Sequence, residues 1–187
     1  MKTLSCILLF LCVLFNGCTH AGEGLRIPPA PAWVQPQAEQ TAYTSWEVAQ
    51  QVQLLAPGVK VAGVSDKEYT LVSYTWLKSF VDWTWKVAPV VGVKYTLNSF
   101  DCEDFTRLFN TVVSLKASQA RVFAAPLAAD TTVSLKSGSL HALVAIATDR
   151  GVYIVEPQPD AGPFRLTKLE DYKDQILAVE FGLASPF

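Results

Sequence analysis

The sequence predicts one α+β domain in which helices come first and an antiparallel β-sheet comes last. Three observations carry this. Apolar residues recur at helical spacing in three segments that begin near residues 45, 74 and 102. Two strand-like runs flank a turn at residues 148–151, which reads as a β-hairpin, and ILAVEF (176–181) supplies a further strand for the same sheet.

Ahead of that domain lies a different kind of sequence. Lys2 is followed by the apolar run Leu4 to Phe15, the length of a signal-peptide core and short for a bilayer span. Cys6 and Cys12 fall inside it. Gly17-Cys18 resembles the end of a bacterial lipoprotein signal, which implies lipidation of Cys18, a lipid anchor to the membrane and an exported protein of the cell envelope. Thr19 rather than Asp after that cysteine points to the periplasmic face of the outer membrane if the host is Gram-negative. Cleavage after Ala21 by an ordinary signal peptidase is the alternative. Residues 1–22 are thus expected as a signal peptide, 23–40 as a Pro-rich tether and 41–187 as the folded domain. A net charge of −2 and a pI near 5.7 give no basic footprint for nucleic acid.

Within the domain, Thr44 and Glu47 have capping-box spacing at the head of TSWEVAQQVQLLAPG, and Pro57-Gly58 ends that helix. VKVAGV (59–64) is extended or loop. YTLV (69–72) reads as a short strand before a helix from about Tyr74 to Trp85, because Leu77, Phe80, Val81 and Trp85 keep helical spacing. Trp76, Trp83 and Trp85 are expected as core or groove wall. After the hairpin, PQPDAGPF is a turn-rich loop and KLEDYKD (168–174) a short helix or turn.

With Cys6, Cys12 and Cys18 assigned to the signal, Cys102 is left as a single free thiol in the domain. Phe105, Leu108, Phe109, Val112 and Val113 follow it on one helical face, so Cys102 falls in the first turn of a buried helix with Asp101 as N-cap. Unpaired N–H groups at a helix start stabilise a thiolate and can face an oxyanion. The competing reading is a small buried hydrophobe. Glu103 and Asp104 are expected to serve the helix terminus, Asp104 through a reciprocal cap with Asp101.

A thiolate nucleophile needs a base, and His141 is the histidine left once His20 is assigned to the processing site. It opens the first strand of the hairpin, HALVAIATDRGVYIVEP, and Glu156 closes the second. Pairing of the outer ends brings the carboxylate beside the imidazole.

DCEDF (101–105) and HALVAIATDRGVYIVEP together resemble the motifs of the bacterial transglutaminase-like cysteine proteinases, in the wider papain-like and transglutaminase-like superfamily. The resemblance covers roughly residues 95–160. It implies a core helix bearing the cysteine, packed on an antiparallel sheet, with Cys102 as nucleophile, His141 as general base and Glu156 where the family has Asp. Gln158 is the alternative orienting residue. Asn98 is the side-chain oxyanion candidate, with Tyr95 and Trp85 behind it and a plain turn role for Asn98 as the other reading. The expected activity is cleavage or transfer of amide bonds in an envelope protein or peptidoglycan peptide, without metal or organic cofactor. Two rivals stand beside it: an NlpC-like peptidoglycan endopeptidase, and a non-catalytic envelope lipoprotein that binds a protein or glycan.

Overall fold

The computed structural model describes residues 27–34, 43–122, 124–159 and 162–181. Expectations for the signal, for Cys18, and for the tether outside 27–34 lie beyond these residues. No helix among the described residues is long and apolar enough to cross a membrane.

In chain order the elements are β1 (Tyr43–Thr44), α1 (Ser45–Leu55), β2 (Lys60–Val64), β3 (Glu68–Thr70), α2 (Tyr74–Val87), α3 (Cys102–Gln119), β4 (Ala125–Pro126), β5 (Ala128–Ser134), β6 (Leu140–Thr148), β7 (Gly151–Val155), β8 (Leu166–Lys168) and β9 (Ile176–Phe181), with two 3-10 turns between β8 and β9. The expected capping box forms at α1: the Thr44 N–H donates to Glu47 Oε2 at 2.8 Å and the Glu47 N–H to Thr44 Oγ1 at 3.3 Å. At α2 the capping group comes from elsewhere in the fold, because Asp149 of the β6–β7 turn accepts the Tyr74 N–H at 2.7 Å. Thr148 shapes that turn, accepting from the Arg150 N–H at 3.0 Å and donating to the Gly151 carbonyl at 2.8 Å. Gly151 has φ +107°, a conformation that excludes most side chains.

Six strands form one sheet in the order β2-β9-β5-β6-β7-β8; β1, β3 and β4 form a small second one. The expected all-antiparallel sheet needs correction here. β2 joins the edge parallel to β9, and β3 pairs parallel with β4. Parallel partners lie far apart in sequence, so no local turn signal announces them. β5, unforeseen in the sequence, lies between β9 and β6. Its sequence AADTTVS sets Ala and Asp, poor strand formers, beside Thr and Val, good ones, and pairing on both sides holds the whole run in the sheet.

Helices cover both faces. α2 and α3 pack Trp76, Leu77, Phe80, Phe109, Val112 and Val113 against Val144, Ile146 and Val155. On the other face Val48 and Ala56 lie near Val133, Leu143, Ile154 and Val179. Burying each such large side chain stabilises the fold by about 1.5–3 kcal/mol. Residues 27–34 carry no helix or strand and pack on this core. The Trp83 indole N–H donates to the Pro28 carbonyl at 2.7 Å, and Trp33 lies 4.2 Å from Trp76, centroid to centroid.

Candidate functional site

α3 begins at Cys102 with Asp101 as N-cap. Asp101 and Asp104 take the reciprocal capping arrangement, in which the Asp104 carboxylate accepts the Asp101 N–H at 3.4 Å. A second bond ties the terminus to the preceding turn, where Asp101 Oδ2 accepts the Asn98 N–H at 3.0 Å. Asn98 itself is exposed and left-handed, with φ +59°. That places it in the turn, a conformation asparagine tolerates better than most residues. Trp85, another oxyanion candidate, packs edge-on against Phe164.

The environment of the sulfur differs from the expected one. The thiol donates to Glu103 Oε2 at 3.4 Å. Burial pushes the Cys102 pKa up, and the Glu103 and Asp101 carboxylates add to the rise; the Ala142 backbone N–H acts against it. Burial and two adjacent acids thus outweigh the Ala142 N–H. The stable form is the protonated thiol, a weak nucleophile.

His141 and Glu156 do meet. His141 Nε2 lies 2.6 Å from Glu156 Oε2, across the open end of the hairpin. Gln158 Nε2 reaches the same ring loosely, at 3.4 Å from Nε2 and 3.5 Å from Nδ1. No hydrogen bond joins Cys102 to His141 among the described residues. The pleat supplies a reason. Val133 and Leu143 point into the cluster with Val48 of α1 and Ala56 just beyond it, whereas Val144 points to α2 and α3. His141, two residues before Leu143 and paired with Val133, starts on the α1 face. The contact with the sulfur comes from the Ala142 backbone instead.

Donor atoms of Asp101, Cys102 and Glu103 lie within 4.8 Å of one another. Asp101 already accepts from Asn98 and Glu103 from the thiol, so this trio serves the helix start. Tyr95, 38% exposed, sits beside it. Desolvation and the charges of Asp101, Cys102 and Glu103 raise its hydroxyl pKa.

A polar cleft of about 120 Å³ opens beside the first two turns of α3. Glu103, Thr106 and Arg107 of α3 form one wall; Thr132, Ala142 and Ala178 contribute small side chains, and Asp130 and Glu180 complete the lining. None of the acids and threonines on the sheet side was singled out from sequence. Asp130 inside AADTTVS and Glu180 inside ILAVEF were available signals, since a charged residue within a strand needs a reason. A larger cavity, about 360 Å³ and mostly apolar, lies toward α1 and touches none of Cys102, His141, Glu156 or Gln158.

No protein-family model matches the chain, and no curated protein matches it. Solved structures do match: PSL1a in a complex with E64, and the Polyporus squamosus lectin bound to the human-type influenza-binding epitope Neu5Acα2-6Galβ1-4GlcNAc. The likeness is one of fold, to part of each of those chains. Each match has 20% identity and a TM-score of 0.55, and covers 75% of this chain. The chain spans about half the length of those chains, 51% of the first and 49% of the second.

These structures correct the papain-like, transglutaminase-like fold expectation: the sheet is mixed and the similar solved structures are lectin chains. The expected thiol peptidase or acyl transferase is corrected with it. The thiol of Cys102, half-buried, donates to Glu103 rather than to His141.

Proposed function

We propose that this domain binds a glycan without cleaving it, at the open end of the β6–β7 hairpin. The observation that carries the reading is the likeness to a lectin structure holding Neu5Acα2-6Galβ1-4GlcNAc. The chemistry of the surface suits it. Saccharides present clustered hydroxyls that both donate and accept, and they are held by a few placed polar groups beside an apolar or aromatic face. Gln158 offers an amide held only by long contacts, beside the Glu156 carboxylate paired to His141. His141 lies between them. Cys102 has a supporting part in this reading, filling space against the Ala142 backbone.

The test is a glycan array probed with the full chain, followed by calorimetric titration of Neu5Acα2-6Galβ1-4GlcNAc. Binding should persist in Cys102→Ser and fall about tenfold or more in Gln158→Ala and Glu156→Ala, with the glycan recovered at unchanged mass. An array on which no glycan binds, or a glycan shortened after incubation, overturns the reading.

A further inference from the structure

The polar cleft under α3 has a chemistry of its own. Asp130 and Glu180 are directly opposed across β5 and β9, and the Glu180 carboxylate makes no hydrogen bond or ion pair among the described residues. Glu103 stands on the opposite wall. The cation of the cleft, Arg107, makes its ion pair outward, with Asp104 at 3.9 Å. Three carboxylates against one guanidinium leave the cleft negative.

A second observation is independent of the acids. Thr106 is fully buried, lines the cleft, and its hydroxyl has no hydrogen-bond partner. Behind it Asn110 is 5% exposed; its amide N–H donates to Asp130, while its carbonyl oxygen is unpartnered. Buried polar atoms without partners are uncommon in native proteins, and each is costly unless something satisfies it.

We propose that this cleft is a binding site for a primary ammonium group carried on a short stem. An ammonium has three donors and a compact positive charge, which match Asp130, Glu180 and the Thr106 oxygen better than a hydroxyl does. A chelated metal fits less well. Among the described residues, three such donor atoms converge within 4.8 Å at Asp101, Cys102 and Glu103, whereas Asp130 and Glu180 belong to no such trio. A volume of about 120 Å³ exceeds the room one water needs, and the floor of Ala142, Ala178 and Thr132 leaves space for a stem. The site is separate from the glycan surface, so either reading stands if the other fails.

The experiment is an NMR titration of the ¹⁵N-labelled chain at pH 7 with glucosamine and with n-butylammonium chloride. N-acetylglucosamine and n-butanol serve as neutral counterparts. Saturable shifts at the amides of Glu103, Thr106, Asp130 and Thr132, at least tenfold weaker for the neutral compounds, are expected. Tighter glucosamine than n-butylammonium places the amine on a sugar; the reverse order places it on an alkyl stem such as a lysine side chain. Glu180→Gln and Asp130→Asn should each weaken the ammonium about tenfold, while Glu170→Gln, a distant exposed acid, leaves it unchanged. Equal shifts with the neutral counterparts overturn the proposal. So does affinity for the ammonium that survives both cleft substitutions.

Discussion

Asp130 and Glu180 stand opposite one another on adjacent antiparallel strands, both facing the cleft under α3. Like charges in that position repel. Burial raises the Asp130 pKa to about 6, with Glu180 adding to the rise and the Asn110 amide and Arg107 lowering it.

Because the folded pKa lies above the unfolded one, the native state holds the proton more tightly. The stability Asp130 contributes is complete below about pH 3.8 and is lost as pH rises through 6. Asp130→Asn removes this loss. The variant should be more stable than wild type at pH 7 by about 2–3 kcal/mol, and alike at pH 3.5. Urea unfolding at several pH values measures it, and parallel curves for the two proteins would contradict it.

Cys102 should react as a shielded thiol. Its pKa is raised by burial and by its acid neighbours, so alkylation by iodoacetamide should be slow at pH 7 and accelerate above the roughly 8.5 of a free cysteine. Glu103→Gln removes one charge at 3.4 Å and should shift the rate profile toward lower pH. A wild-type profile with its midpoint well below 8 would show that the helix N-terminus wins.

Asp104 works for the helix rather than for the thiol. Its carboxylate accepts the Asp101 N–H, and it sits in the first turn of α3, where negative charge is favoured. Asp104→Asn should cost about 0.5–1 kcal/mol in thermal or urea unfolding and leave the alkylation profile of Cys102 almost unmoved. A large change in that profile with no loss of stability would reverse the assignment.

Trp33 ties the segment 27–34 to α2. Its ring lies against Trp76, and Pro28 accepts from Trp83 nearby. Trp33→Ala should destabilise the domain by about 2 kcal/mol, less than a fully buried tryptophan because Trp33 is partly exposed. The check is the unfolding midpoint together with trypsin cleavage after Arg26, which should quicken in the variant.

Local chemistry wrote the parts of this protein that a sequence can declare. Thr44 and Glu47 announce α1, Asp101 announces α3, and the turn at Thr148 to Gly151 announces β6 and β7, each through groups within four residues of one another. The meeting of His141 with Glu156 was legible for the same reason, since a hairpin turns sequence spacing into distance. Only tertiary structure decided the rest. β5 exists because β6 and β9 pair with it on both sides, and β2 lies parallel to a strand more than a hundred residues away. The face on which His141 leaves the sheet followed from the pleat. The protonation of Cys102 followed from burial and from Glu103, which two competing local effects left open in the sequence. The acidic cleft arose from three elements, α3, β5 and β9, whose residues carry no mutual spacing until the sheet and helix bring them together.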